Sequence, residues 1–140
     1  MMETIEIINT HASKRVQQEK IRSLIRLIIK KETKKKLGFL SIVFLTNARM
    51  RRVNRDYLDH DYATDVISFN LSSNGNVDGE IFVSLDQAAK QAREFNVTYA
   101  NEVLRLVAHG LLHILGYDDR TLAQRQAMLE LGDRYIGKLK

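Results

Sequence analysis

No cysteine occurs among the 140 residues. That excludes a disulfide framework and every zinc site built on thiolates, so any bound metal must be held by His, Asp or Glu. Such a composition suits the reducing cytoplasm, which is the expected location. Proline is also absent, so helix starts and turns must be read from Ser, Thr, Asn, Asp and Gly. No apolar run approaches the roughly 20 residues of a membrane span, and Met1 to Lys14 carry no basic stretch leading into an apolar one; neither a membrane nor a secretory target is expected. There is no repeat and no linker, and the one biased tract is the lysine-rich Lys30 to Lys36.

What remains is an ordinary globular composition, 44% apolar and 28% charged, in a chain of a length that suits one domain over residues 1–140. Lysine and arginine total 22 against 17 acids, a formal charge of +5, which favours anionic partners. The cations cluster in two blocks, Lys30, Lys31, Lys34, Lys35, Lys36 and Arg49, Arg51, Arg52, Arg55. The first also reads as the solvated end of a helix, where positive charge complements the dipole. In the second, Arg49, Arg52 and Arg55 are the candidates for contact with phosphates of an anionic partner.

Hydrophobic periodicity gives the element order. Thr4 to Asn9 alternates as a strand. Lys14 to about Lys36 reads as a long amphipathic helix, with Ser13 as cap and Gly38 as stop. Ser41 to Leu45 is a strand; Thr46 or Asn47 then caps a helix to about Tyr57. Asp65 to Phe69 and Gly79 to Ser84 are strands joined by a turn over Ser72 to Asp78 that contains Asn74-Gly75, a connection short enough for antiparallel pairing. Leu85 to Phe95 is helical. Thr98 caps a helix ending at Gly116, and Thr121 with Gln124 forms a capping box before a last helix whose apolar side holds Leu122, Met128, Leu129, Leu131 and Tyr135. The order βαβαββααα describes an α+β or mixed α/β domain, with about four strands in a mixed sheet and about five helices.

The chemistry concentrates at residues 109–119, His-Gly-Leu-Leu-His-Ile-Leu-Gly-Tyr-Asp-Asp. Histidines four apart on a helix stack on one face, and Gly116 supplies the positive φ that turns the chain back toward them with a carboxylate. His109, His113 and Asp119 make three ligands, which for a tetrahedral Zn²⁺ leaves one position open for water or substrate; another divalent metal also fits a set containing oxygen. Asp118 is the rival third ligand. The layout matches that of zinc peptidases, which carry a general-base Glu directly after the first His. Gly110 stands there instead, which argues against amide hydrolysis and in favour of a phosphodiester, whose developing charge a cation can stabilise.

This stretch resembles the signature of the YbeY family of bacterial endoribonucleases, His-Gly-x-Leu-His-x-x-Gly-Tyr-Asp-His. Val53 to Phe69, running Val-Asn-Arg-Asp-Tyr-Leu-Asp-His-Asp-Tyr-Ala-Thr-Asp-Val-Ile-Ser-Phe, resembles the family's Leu-Asn-x-x-Tyr-Arg-x-x-Asp-x-Pro-Thr-Asp-Val-Leu-Ser-Phe. Gly79-Glu80-Ile81 is similar to its Gly-Asp-Ile strand. The resemblance implies a metal-dependent, single-strand-specific endoribonuclease acting in maturation of ribosomal RNA, notably the small-subunit 3′ end, and in ribosome quality control. Its implied partners are single-stranded or ribosomal RNA and the ribosome or its small subunit, with no membrane and no DNA. In that register Asp119 stands at the family's third histidine, which makes it the favoured ligand and His109, His113 and Asp119 the residues that act through the metal.

Asp119 lowers the net charge of the site by one relative to three histidines, which raises the pKa of a bound water and weakens attraction for phosphate. Leu58 stands where the family segment has Arg and cannot clamp a phosphate; Arg55, one turn earlier, is the expected substitute. Ala63 and Asn70 replace family prolines. Two other readings stay open: a non-catalytic, metal-containing factor of ribosome assembly, and a metalloprotease. His11 and His60 read as surface residues, Asp65 as the start of an Asx turn, and Tyr57, Phe69 and Tyr117 as stacking partners for bases, with Phe69 the best core candidate.

Overall fold

Strands β1 (Thr4–Asn9), β2 (Leu37–Leu45), β3 (Val66–Asn70) and β4 (Val77–Ser84) form one mixed sheet in the order β1-β2-β4-β3. A computed structural model describes residues 4–72 and 75–139. β1 and β4 flank β2 in parallel, pairings that require crossover connections, and β3 pairs antiparallel with β4. The helices are α1 (Gln18–Glu32), α2 (Asn47–Leu58), α3 (Leu85–Glu94), α4 (Tyr99–Ile114) and α5 (Leu122–Gly137). The element order read from periodicity is therefore the observed one. Of the expected turn over Ser72 to Asp78, Ser73 and Asn74 lie outside the described residues.

Period-two alternation splits the sheet between two cores. Ile42, Phe44, Ile81 and Val83 face the larger one, with Ile21, Leu24, Ile25 and Ile28 of α1 and Val107, Leu111 and Leu112 of α4. Leu45, Ile67, Phe69 and Phe82 face a smaller core under α2, closed by Met50 and Val53. α4 is apolar almost all round because it lies across the sheet beneath α1, α3 and α5.

Four local expectations are corrected. α1 begins at Gln18 rather than Lys14, because the His11 ring accepts the N–H groups of Ser13 (3.2 Å) and Lys14 (3.1 Å), and Tyr99 donates its hydroxyl to the Arg15 carbonyl. Those bonds hold the segment outside the helix. α1 also stops at Glu32, where Thr33 turns extended, and β2 starts at Leu37, so Gly38 lies inside a strand; there it leaves room for the Asp78 carboxylate, which accepts the Phe39 N–H at 2.7 Å across a register shift. His11 is no surface residue: its side chain is 8% exposed, with Nε2 2.9 Å from Asp86 Oδ1. Leu122 is 84% exposed rather than part of the apolar side of α5.

Two glycines set how closely α4 approaches the sheet. A Cβ at Gly110 would stand 2.8 Å from Cγ2 of buried Ile81 and 3.2 Å from Cγ2 of Val66; one at Gly79 would stand 2.6 Å from the Phe69 carbonyl oxygen and 2.8 Å from Ile114 Cδ1. Position 110 thus faces the sheet, so a glutamate there has neither space nor access to the histidines. The absence of the peptidase base is a packing requirement of this fold.

Candidate metal centre and cleft

The C-terminal end of α4 carries the donors. Gly116 takes φ +103, the Gly116 N–H donates to the His113 carbonyl, and the Tyr117 N–H donates to the Leu112 carbonyl, both at 3.0 Å. This paired-bond stop reverses the chain in two residues. Thr121 and Gln124 complete the predicted capping box of α5, so the segment carrying Asp119 is held at both ends. Glu32, at the end of α1, adds a tether by accepting the hydroxyls of Tyr117 and Tyr135. Burial and then the Glu32 bond push the Tyr135 phenol up to about 12.

Within this frame Asp119 Oδ2 lies 3.1 Å from His109 Nε2 and 3.0 Å from His113 Nε2, with the rings 4.9 Å apart at 82°. One donor atom from each of the three residues falls within 4.8 Å of the others. Bonds of about 2.0–2.1 Å to a tetrahedral ion imply ligand-to-ligand edges of about 3.3 Å, close to the two His–Asp separations. Asp118 points elsewhere, to Arg120 Nε at 2.9 Å. Burial depresses His109 below its ordinary 6.5, outweighing the opposing bond from Asp119; the ring is therefore neutral at pH 7, as a ligand must be. Burial raises the Asp119 carboxyl, but its bonds to His109 and His113 prevail and hold it below 3.8. His109 Nδ1 is buried without a hydrogen-bond partner, so only the Nε2 side of the ring has somewhere to act. Two imidazole nitrogens and a carboxylate oxygen brought together in this way suit a divalent ion.

The group sits in a cleft of about 790 Å³. α2 and the loop after it supply Asn54, Leu58, His60 and Tyr62 to its lining; Asp65, Gln91, Phe95, Glu102, Arg105 and Arg125 line it as well. Asp65 is not the Asx turn expected: its carboxylate accepts the Val66 N–H at 2.7 Å and the Gln91 amide at 3.1 Å. His60 is exposed as expected, with its ring against Tyr62. Tyr57 is 70% exposed with its ring edge on Phe69, and Phe69 in turn meets Phe82.

Arg49, Arg52 and Arg55 are exposed on α2 and do not line the cleft; Arg55 Nε lies 3.5 Å from Asp56 Oδ1. Two cleft residues had a readable signal that went unused. Glu102 and Arg105 precede His109 by seven and four positions, the same helix face. Glu102 is 2% exposed, and burial raises its carboxyl above 4.5 despite the Arg105 guanidinium 3.1 Å away. Arg105 Nε also lies 3.0 Å from Asp133, an ion pair without hydrogen-bond alignment. Arg125 gave no comparable signal, since its approach depends on how the 115–121 turn sets α5.

The family model described as Endoribonuclease YbeY matches residues 6–140. Endoribonuclease YbeY of Chlorobaculum tepidum is 38% identical over 136 residues, covering 97% of this chain and 98% of the relative. The protein of the same name from Salinibacter ruber is 37% identical over 143 residues, covering 96% and 90%. Among solved structures, the solution structure of a Thermotoga maritima protein matches with a TM-score of 0.67 and 28% identity, covering 95% of this chain and 87% of the other.

Proposed function

Since the chain belongs to the Endoribonuclease YbeY family, we infer that it is a hydrolase that cuts single-stranded RNA internally and acts in the maturation of ribosomal RNA, including the small-subunit 3′ end, and in ribosome quality control. The observation that carries this reading is the convergence of His109, His113 and Asp119 at an open cleft. The ion we assign there is Zn²⁺, with another divalent metal as the variant that the carboxylate donor permits. When bound, the ion supplies Lewis acidity toward a phosphodiester oxygen or an attacking hydroxyl.

The chain's own contribution is position. His109 is held neutral by burial on α4, and His113, one turn further on, is partly exposed to the cleft. Asp119 is delivered by the Gly116 turn and keeps its charge through both imidazole contacts. The cleft is an open trough lined by Leu58, Tyr62 and Phe95 beside polar groups, surfaces on which unstacked bases can rest. A duplex has no unpaired base to offer there, which fits single-strand preference. Arg49, Arg52 and Arg55 form an exposed cationic flank outside the cleft, available to a longer RNA strand or to ribosomal RNA. No described helix is long and apolar enough to cross a membrane, and the cysteine-free chain suits work in the cytoplasm beside the ribosome or its small subunit.

The test is direct. Purified protein analysed for metal content and incubated with ribosomal RNA should produce discrete internal cuts that chelation abolishes and that the His113→Ala variant does not make. A native protein that carries no divalent metal and leaves the RNA intact sinks the reading.

A further inference from the structure

We propose that Arg125, in the first turn of α5, is the residue that binds the substrate phosphate beside the metal group. The inference rests on the endoribonuclease reading above and adds a specific contact to it. An anionic strand entering a site with an anionic ligand needs a second cation near that ligand, because Asp119 cancels one unit of the ion's charge.

Among the described residues that line the cleft, two are arginines. Arg105 is committed: its side chain is 16% exposed and lies between Glu102, 3.1 Å away, and Asp133, 3.0 Å away. Arg125 is different. Its side chain is 54% exposed, and Nη1 lies 3.9 Å from Asp119 Oδ2, beyond hydrogen-bond range yet close enough to offset that carboxylate. A guanidinium there keeps its donors for a ligand and can grip two phosphate oxygens at once. Across the cleft the corresponding wall offers Leu58, which has no donor, while Arg51 of α2 is held by Asp61 at 2.7 Å. Position 125 therefore combines open donors, the cleft and proximity to the ligand carboxylate.

Binding of a fluorescent single-stranded oligoribonucleotide, measured with chelator and with added Zn²⁺, separates this contact from catalysis. Arg125→Ala should weaken RNA binding roughly five- to tenfold at low salt and flatten the log-affinity against log-salt slope by about 0.7, the share of one phosphate on a single strand. Arg125→Glu should weaken it further, while Arg22→Ala, on α1 beside Glu19, should leave it unchanged. Affinity for Zn²⁺ alone should hold or rise in Arg125→Ala, since a nearby cation has been removed; a merely structural role would lower it. If unaltered protein binds and cuts RNA but Arg125→Ala matches it in affinity and salt slope, this inference is overturned and the nuclease reading stands. If unaltered protein neither binds nor cuts RNA, both fall.

Discussion

The two long walls of the cleft are built on opposite plans. On the α4–α5 side the backbone that carries the three donors is over-determined: Gly110 and Gly79 seat the helix against the sheet, a paired-bond stop reverses the chain, a capping box starts the next helix, and Glu32 ties the turn to α1. On the α2 side the wall ends in the exposed Leu58 and continues into a loop containing His60 and Tyr62, both exposed. A group of donors that must meet around one ion tolerates little misplacement, so it belongs on packed, capped elements. A surface that receives variable RNA has no such demand.

The sharpest way to break that comparison is to remove a donor. His113→Ala should reduce Zn²⁺ affinity by on the order of 100-fold or more, and RNA cleavage with it, while the fold survives because the ring is only partly buried; metal titration and circular dichroism check both halves. Gly110→Ala comes next. Its methyl group would collide with buried Ile81, and the expected loss is about 1–3 kcal/mol in denaturant unfolding. An unchanged stability would show that α4 is less tightly seated than the packing implies. Removing the tether by Glu32→Ala should cost about 1 kcal/mol and lower Zn²⁺ affinity a few fold, because Asp119 then samples more positions. No change in metal affinity would make the tether purely structural.

A pH experiment tests the buried end of the same wall. Glu102 has its carboxyl raised above 4.5 by burial, so the folded state holds that proton more tightly than the unfolded chain. Its contribution to stability is complete below the unfolded value and is lost as pH rises through the folded one. The stability of the unaltered protein relative to Glu102→Gln should accordingly decline as pH rises from about 4.5, and a rising difference would reverse the assignment. The smallest effect belongs to the α2 flank. Joint replacement of Arg49, Arg52 and Arg55 by Ala should weaken binding of a long RNA a few fold, without changing the cleavage rate of bound RNA.

Periodicity and caps made most of the fold legible. The order of the nine described elements, the antiparallel pairing of β3 with β4, the Thr121–Gln124 box and the glycine stop all follow from short local patterns, and each is present. The errors fall where a distant group intervenes. The start of α1 moved because His11 is anchored on Asp86, 75 positions away, and Gly38 entered a strand because Asp78, 40 positions on, occupies the space a side chain would need.

The metal group was readable for the same reason as the caps: His109, His113 and Asp119 span eleven residues, and helix pitch plus one glycine turn fix their relation. Sequence alone therefore settled which donors can meet, since their geometry is carried by consecutive backbone. Tertiary structure alone decided what surrounds them. The commitment of Arg105 to Glu102 and Asp133, the remoteness of Arg55 from the cleft and the approach of Arg125 all depend on how separate helices pack on the sheet, and that depends on long-range shape rather than on any local period.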